Sequence, residues 1–145
     1  MVDVYTEIMI RSPISRVSAY AANPSNAPEW YVNIDSAEWL TEKTIEIGSL
    51  IAFKAQFLGK ELAYTYEIVE YIPGSKLVMC TSNGPFPMET IYTWEALDEN
   101  HTKMTLRNKG IPTGFSSLFA PFMSLMMKRA NKKDLKKIKS IIESK

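Results

Sequence analysis

The sequence predicts one α+β domain of 145 residues, in which a bent antiparallel sheet wraps around a long C-terminal helix and encloses an apolar cavity. Two observations predict this fold class. Residues 36–111 hold six segments of alternating or β-branched character, separated by turn residues, as in an antiparallel meander. From residue 115 onward, Lys, Leu, Met and Ala dominate, and these residues favour helices. A strongly bent sheet cannot bury its concave face against itself, so we expect the long helix to cover it.

The N-terminal part is predicted to form one strand and two short helices. Residues 2–11 are rich in β-branched and apolar side chains, which favour a strand. Ser12 is a typical N-cap residue and precedes Pro13, which suits a first helical position, so we expect the first helix to begin there. A second short helix is expected at about 25–30. The order of elements is therefore β-α-α-β6-α, with about seven strands.

The remaining elements are predicted from their apolar periodicity. The long helix begins, or is interrupted, near Pro121. One apolar stripe along that helix is expected to pack on the sheet, and it comprises Phe119, Met123, Met127, Ala130, Ile138, Ile141 and Ile142. The six strands of the meander are expected at 36–43, 50–58, 61–71, 76–82, 88–97 and 102–111.

The composition argues against several classes of function. The net charge is +1, which does not suit a dedicated polyanion binder. With Cys80 as the single cysteine, an intrachain disulfide and a thiolate metal cluster are excluded. His101 is the single histidine and lies in a predicted turn, so we expect no metal and no cofactor. No signal-peptide pattern and no apolar run long enough to span a membrane is found, which predicts a cytoplasmic protein.

Four segments of the sequence, taken in order, resemble the START-related helix-grip superfamily, also called SRPBCC, in its polyketide cyclase/dehydrase-like branch. They are RSPISRVSAYAANPSNAPEW, IGSLIAFKAQFLGKELAYTYEIVEYIPGSKLVM, METIYTWEAL and TKMTLRNKG. The resemblance covers the full length and implies a helix-grip fold. It does not select an activity, because the superfamily includes lipid carriers, hormone receptors, ring cyclases and chaperone cofactors.

A cavity that binds a small apolar molecule is the leading functional prediction. Its wall would come from one face of the strands, from the end of the second helix and from the first turns of the long helix. The expected wall residues are Trp30, Phe53, Phe57, Tyr64, Tyr66, Met79, Met88, Thr90, Tyr92, Trp94, Met104, Leu106, Asn108, Phe122 and Met126. The hydroxyl and amide groups among them would orient a ligand oxygen.

The alternative is a cofactor-independent cyclase or dehydratase acting on a polyketide-like substrate. Its candidate catalytic residues are Tyr64, Tyr66, Glu89 and Arg107. Strand alternation places Lys54, Glu67, Glu89 and Arg107 opposite the aromatic face, and hence outward, unless a one-residue bulge reverses part of the pattern. The inward set then lacks a carboxylate or histidine, which favours binding over catalysis.

The long helix carries two further features. Residues 128–145 contain eight Lys or Arg against two Asp or Glu, a net charge of +6. A solvated helix face explains this charge, and the alternative is contact with an anionic membrane or an acidic partner through Lys132, Lys133, Lys136 and Lys137. Nucleic acid is not expected, because no aromatic residues alternate with these lysines. Residues 115–127 are apolar around most of the circumference, so we expect a lid over the cavity entrance. Monomer and homodimer both stay open.

Overall fold

The computed structural model describes residues 2–57, 59–83, 87–110 and 120–145. Within these described residues, seven strands and three α-helices follow one another in the predicted order, with one 3-10 turn (Pro24–Asn26) before the second helix. The elements are β1 (Val2–Ile10), α1 (Ile14–Ala22), α2 (Ala27–Trp30), β2 (Ile34–Trp39), β3 (Leu50–Phe57), β4 (Lys60–Ile72), β5 (Lys76–Asn83), β6 (Met88–Asp98), β7 (His101–Gly110) and α3 (Ala120–Glu143).

All seven strands form one antiparallel sheet in the order β1-β7-β6-β5-β4-β3-β2. Consecutive strands from β2 to β7 are hairpin neighbours, and β1 closes the far edge against β7. The long helix α3 packs on β1 and α2 and contributes Leu135, Ile138 and Ile142 to the core. This arrangement is the helix-grip fold that the resemblance implies.

The two faces of the sheet alternate as predicted from the sequence. In β6 the buried side chains are Met88, Thr90, Tyr92 and Trp94, and in β7 they include Met104 and Leu106. We call this buried, concave side the inner face and the opposite side the outer face. A side-chain period of two along each strand is what keeps the two faces distinct.

One bulge changes the pattern in β4. The pairing with β5 shifts between Ile68 and Glu70, so that Ile68 lies opposite Met79 and Tyr71 lies opposite Leu77. The extra residue, Val69, leaves Tyr71 on the inner face, where it packs against the core. Glu67 precedes the bulge and keeps its outward position beside Cys80.

Two predicted boundaries are corrected by the structure. The first helix begins at Ile14 with Pro13 at the N-cap position, so Ser12 is not the cap. Instead, the Ser12 carbonyl accepts a hydrogen bond from Thr102 Oγ1 at 2.8 Å, which ties the strand end to β7. Strand β2 lies at Ile34–Trp39 rather than 36–43, because the chain leaving α2 pairs with β3 at once.

Helix α3 is buried unevenly along its length. Its buried residues are Asn131, Asp134, Leu135, Ile138 and Ile142, and none of them lies in Ala120–Ala130. Of the predicted stripe, Ile138 and Ile142 are buried, Met123, Met127, Ala130 and Ile141 are partly exposed, and Phe119 falls outside the described residues. The helix therefore packs most tightly near its end.

A polar clamp fixes that end of α3 to β1. The Glu143 carboxylate accepts the backbone N–H of Arg11 at 2.8 Å and a bond from Lys139 Nζ at 2.5 Å. Lys139 Nζ also donates to the carbonyl of Met9 at 3.0 Å. These bonds hold the pKa of Glu143 down at about 2.

Within the described part of the chain, no helix combines the length and the apolar character needed to cross a membrane.

Candidate functional site

An aromatic wall lines the inner face where α2 meets the middle of the sheet. Trp30, the last residue of α2, is fully buried, and its ring centroid lies 4.1 Å from that of Tyr31. On β6, the ring of Tyr92 lies 5.8 Å from Trp30 and 6.2 Å from Trp94. These offset, tilted arrangements suit aromatic packing and give the site a rigid apolar surface.

Polar groups are set into this wall. The hydroxyls of Tyr31 and Tyr92 are hydrogen-bonded to each other. Burial is the main cause that raises the pKa of both phenols well above the usual range, so both stay protonated at neutral pH. Burial also raises the pKa of Tyr66 to about 12. The phenols therefore act as neutral hydrogen-bonding groups.

A second set of polar groups continues across β6 and β7. Thr90 Oγ1 donates to Asn108 Oδ1 at 2.7 Å and lies 3.5 Å from the Tyr66 hydroxyl. Thr81 on β5 accepts the backbone N–H of Met88 at 2.8 Å and so serves to join β5 and β6. We refer to Tyr31, Tyr66, Thr90, Tyr92, Asn108 and Asp134 together as the inner polar cluster.

Asp134 is the acidic member of that cluster, and it comes from α3. Its side chain is only 3% exposed, and its Oδ1 accepts the backbone N–H of Val32 at 2.8 Å. Burial raises its pKa to about 7, against the opposing effects of the Val32 N–H and of Lys137. Its negative charge also contributes to the raised pKa values of Tyr31 and Tyr92. The inner face thus holds a carboxyl group that titrates near neutral pH.

The site residues predicted from the sequence do not include this carboxyl group. In that prediction Asp134 is one of two acids in a basic segment, and Asn131 has no assigned role. A signal was present, because Asn131, Asp134, Leu135 and Ile138 follow the three- and four-residue spacing of one helical face. Extending the buried stripe through its polar members would have placed Asp134 inside.

Several buried donors of the inner face have no partner in the ranges that the structure describes. They are Trp94 Nε1, Asn131 Nδ2 and Trp30 Nε1. A buried N–H without a hydrogen bond costs about 1–3 kcal/mol, so it is an unusual feature of a pure core. Donors of this kind, next to neutral phenols and an apolar wall, suit a ligand that carries oxygen atoms.

Most of the predicted wall residues lie on the inner face. Tyr64 and Tyr66 are partly exposed there, and their rings are 6.1 Å apart. Met126 is partly exposed and lines a separate cleft described below. The side chain of Phe57 falls outside the described residues. The buried ones are Trp30, Phe53, Met79, Met88, Thr90, Tyr92, Trp94, Met104, Leu106 and Asn108.

Phe122 departs from the expectation. Its side chain is 51% exposed, so it does not lie in an enclosed wall. The reason is rotational, because Phe122 lies about half a turn around α3 from Asn131, which faces the core. The predicted lid at 115–127 begins outside the described residues, and its described part, from Ala120, is the less buried half of α3.

Two of the candidate catalytic residues lie on the outer face. Arg107 donates to Asp3 through Nε at 2.8 Å and through Nη2 at 2.7 Å. Glu89 Oε2 lies 3.8 Å from Cys80 Sγ. The pKa of the Cys80 thiol is raised mainly by burial and to a smaller extent by the Glu89 carboxylate. Neither Glu89 nor Arg107 can therefore contact a molecule held against the inner face. Lys54 and Glu67 also point outward, as the alternation predicts.

Two other predicted sites can be placed. His101 is the first residue of β7 rather than part of the turn that the sequence predicts, and its Nδ1 is 2.8 Å from Asp98 Oδ1. Across residues 2–57, 59–83, 87–110 and 120–145, no group of three His, Cys, Asp or Glu side chains could hold a metal ion. Lys132, Lys133, Lys136 and Lys137 are all exposed on α3.

A cleft of about 360 Å³ opens beside the inner polar cluster. One side is formed by Val32, Asn33 and Gln56, and the other side by α3. The residues that α3 contributes are Met126, Arg129, Ala130 and Lys133. Because the Val32 N–H is bound by Asp134, the cleft and the cluster share one piece of backbone.

Comparison with known proteins gives a family and a fold. A family model described as "Polyketide cyclase / dehydrase and lipid transport" matches residues 1–143. A search of curated protein sequences finds no match.

Solved structures from three bacteria superpose over nearly the whole chain. TTHA0849 from Thermus thermophilus has a TM-score of 0.84 at 18% identity and covers 98% of this chain and 97% of its own. The Zhui aromatase/cyclase from Streptomyces sp. R1128 has a TM-score of 0.82 at 14% identity, and the match covers 97% of this chain and 93% of the Zhui chain. A START superfamily protein from Mycobacterium smegmatis has a TM-score of 0.82 at 11% identity, with 98% and 97% covered. At these identities the likeness establishes the fold alone.

Proposed function

Because the chain belongs to the polyketide cyclase/dehydrase and lipid transport family, whose fold is a ligand-binding one, we propose that it binds a small, mainly apolar molecule carrying hydroxyl or carbonyl oxygens. The ligand lies against the inner face, between the sheet and α3. The single observation that carries this proposal is the inner polar cluster, in which three phenols, a threonine hydroxyl, an amide and one carboxyl group lie within an aromatic wall.

The physical mechanism is desolvation with orientation. Each Å² of apolar ligand surface removed from water contributes about 25 cal/mol, which supplies most of the affinity. The hydroxyls of Tyr66 and Tyr92 and the donors Trp94 Nε1 and Asn131 Nδ2 would fix the ligand oxygens. A cytoplasmic location remains part of this proposal on the sequence grounds given above.

Displacement of a neutral fluorescent probe tests the proposal. N-phenyl-1-naphthylamine is bound first and then displaced by naringenin or by flavone, which share a ring system but differ in hydroxyl groups. We expect naringenin to compete better, and we expect Tyr92→Phe to reduce its advantage by about fivefold, the value of one hydrogen bond.

The matched control is Tyr5→Phe. Tyr5 is a half-exposed phenol on the outer face that donates to Glu7, so its loss should leave both competitors unchanged. Native mass spectrometry of the purified protein would in parallel identify any molecule that co-purifies. A protein that binds no apolar probe, or that prefers flavone, would contradict the proposal.

Catalysis is the second candidate, and Asp134 favours it. A carboxyl group with a pKa of about 7 inside an aromatic site is suited to general acid–base work at neutral pH. In a dehydration, its protonated form would donate the proton as the C–O bond of a β-hydroxy ketone breaks. Water leaves, and the carboxylate that remains on Asp134 takes up the α-proton, which forms the conjugated enone and restores the protonated acid.

The dehydration of 4-hydroxy-4-phenylbutan-2-one provides a test, since the enone product absorbs in the ultraviolet. We expect wild type to accelerate the reaction below pH 7, with the rate falling as Asp134 ionises, and Asp134→Asn to be inactive. Equal rates for the two proteins would exclude this role for Asp134, while leaving the binding proposal to the displacement experiment.

A further inference from the structure

The cleft beside α3 combines an apolar floor with positive charge. Val32, Met126 and Ala130 provide apolar surface, and Asn33 and Gln56 provide amides. None of these residues belongs to the inner polar cluster. The cleft therefore offers a second set of contacts, with a chemistry of its own.

Its charge comes from two residues of α3 one turn apart. Arg129 and Lys133 line the same side of the cleft, and both are exposed. Within the described ranges, neither forms an ion pair, whereas Arg11, Lys76, Lys103, Arg107 and Lys139 all do. Two cations spaced by one helical turn point to the same side, where a single anion can meet both.

The opposite wall of the cleft is held in place by hydrogen bonds. Gln56 donates its backbone N–H to the carbonyl of Asn33 at 2.7 Å and its Nε2 to Asp35 at 3.2 Å. The backbone N–H of Val32 is bound by Asp134 at 2.8 Å. The carboxylate Asp35 is thus engaged by an amide, and the wall facing the two cations is fixed.

We propose that this cleft binds the acidic group, a carboxylate or a phosphate, of a small amphiphilic molecule. Arg129 and Lys133 pair with the anion, and the apolar part lies on Val32, Met126 and Ala130. A guanidinium can bind two oxygens of such a group at once, while an ammonium adds a point charge. None of its lining residues belongs to the inner polar cluster, although Asp134 of that cluster holds the Val32 N–H, and the site goes beyond the binding function proposed above.

Calorimetry on the intact protein tests the proposal with three ten-carbon probes, which are decanoate, decyl phosphate and decan-1-ol. The variant R129Q/K133Q removes both cations, and K128Q/K132Q removes two exposed charges with the same spacing from another side of α3. We expect both anions to bind wild type more tightly than the alcohol, with an advantage that shrinks as salt increases.

The cleft variant should lose about 5- to 20-fold in affinity for the anions, since each partly exposed ionic contact contributes a factor of about 2 to 5. The control variant should lose less than about twofold. Equal losses in the two variants would overturn the proposal, because they would indicate a diffuse basic face. So would equal affinities for the anions and the alcohol.

Vesicles distinguish a free amphiphile from a membrane surface. If phosphatidylcholine vesicles with 30% phosphatidylglycerol bind the protein and the free anions do not, the membrane contact predicted for Lys132, Lys133, Lys136 and Lys137 replaces the cleft proposal. Binding of N-phenyl-1-naphthylamine to R129Q/K133Q should equal that of wild type. This readout separates failure of the cleft from failure of the proposed function.

Discussion

The two faces of one sheet treat polar groups in opposite ways. On the inner face, Thr90, Tyr92 and Asn108 are neutral, buried and bonded to one another or to neighbouring neutral groups. On the outer face of the same strands, Arg107 and Lys103 are charged and partly exposed, and they pair with Asp3 and Glu95. Both sets of side chains lie on the same strands. Successive residues along a strand alternate between the face in contact with water and the face buried inside the protein.

The difference shows where function can be sought in this fold. An exposed ion pair adds little to stability and can be replaced by water, so the outer pairs carry little information about a ligand. A buried neutral hydroxyl must find a partner within the protein or in a bound molecule. The exception on the inner side, Asp134, is an acid whose charge is suppressed by burial.

The largest difference between the faces should appear when apolar side chains are truncated. Leu106 is fully buried on the inner face, so Leu106→Ala should destabilise the protein by about 2–5 kcal/mol through lost burial and a cavity. The outer counterpart Ile91→Ala, partly exposed and next to Arg107, should cost about 1 kcal/mol. Urea unfolding of both variants measures the difference, and similar costs would show that the faces are not distinct.

The charge of Asp134 should make stability depend on pH. Its pKa is raised from 3.8 to about 7, so between these values the folded state binds a proton that the unfolded state has lost. Stability should therefore fall as pH rises from about 4 to about 7 and then level off. Asp134→Asn keeps an acceptor for the Val32 N–H and removes the charge.

We expect the free energy of unfolding of Asp134→Asn to match that of wild type at pH 4 and to exceed it by about 2–4 kcal/mol at pH 8. The upper figure follows from a shift of about three pKa units, each of which corresponds to about 1.36 kcal/mol. Denaturant unfolding between pH 4 and 8 measures the effect. Parallel pH profiles for the two proteins would mean that Asp134 is ionised at neutral pH in the folded state.

Two isosteric threonine replacements on β6 compare hydroxyls on the two faces. Thr90→Val removes the donor to Asn108 Oδ1 in a buried site and should cost about 1–3 kcal/mol. Thr93→Val removes a bond to Thr105 on the outer face, where Thr105 is buried but Thr93 is partly exposed to water, and should cost less, about 1 kcal/mol. Thermal unfolding measures the loss of stability in each variant. A larger loss for Thr93→Val would show that the hydroxyl pair on the outer face is the one better shielded from water.

The smallest effect is expected for Arg107→Gln. The Arg107 guanidinium lowers the pKa of Asp3, so the pair contributes above the ordinary pKa of an aspartate and is lost as pH falls through the lowered value. In the variant, NMR titration should show the pKa of Asp3 returning upward, while probe binding at the inner face stays unchanged. Weaker probe binding in Arg107→Gln would indicate that a change on the outer face affects binding at the inner face.

The fold could be predicted because its main signals are local. Alternation along each strand assigns inner and outer faces without knowledge of the partner strands, and the outward positions of Lys54 on β3, Glu67 on β4, Glu89 on β6 and Arg107 on β7 follow from it. The order of elements and the family resemblance agree with that pattern. The bulge at Val69 was not located, since no glycine or proline marks it, and so the inward turn of Tyr71 was missed.

The candidate site could be predicted only in part, because its acidic member depends on how α3 is rotated and Tyr31 lies in the irregular segment after α2. The strand members Tyr66, Thr90, Tyr92 and Asn108 follow from periodicity. Asp134 depends on packing between α3 and the segment after α2, which are about 100 residues apart in the sequence. A basic stretch of helix gives no local sign that one of its two acids is buried.

The clamp at Glu143 fixes the C-terminal end of α3, so a tilt of the helix would turn about that end and move its N-terminal end the most. From Glu143 to Ala120 the helix extends for about 35 Å at 1.5 Å per residue. A rotation of about 10° around the clamp would carry the Ala120 end through about 6 Å, which exceeds the thickness of an aromatic ring, while the Met9 and Arg11 bonds lengthen hardly at all. The same tilt would move Asp134, nine residues from the clamp, by about 2 Å and break its bond to the Val32 N–H, so that single contact opposes any opening of the helix.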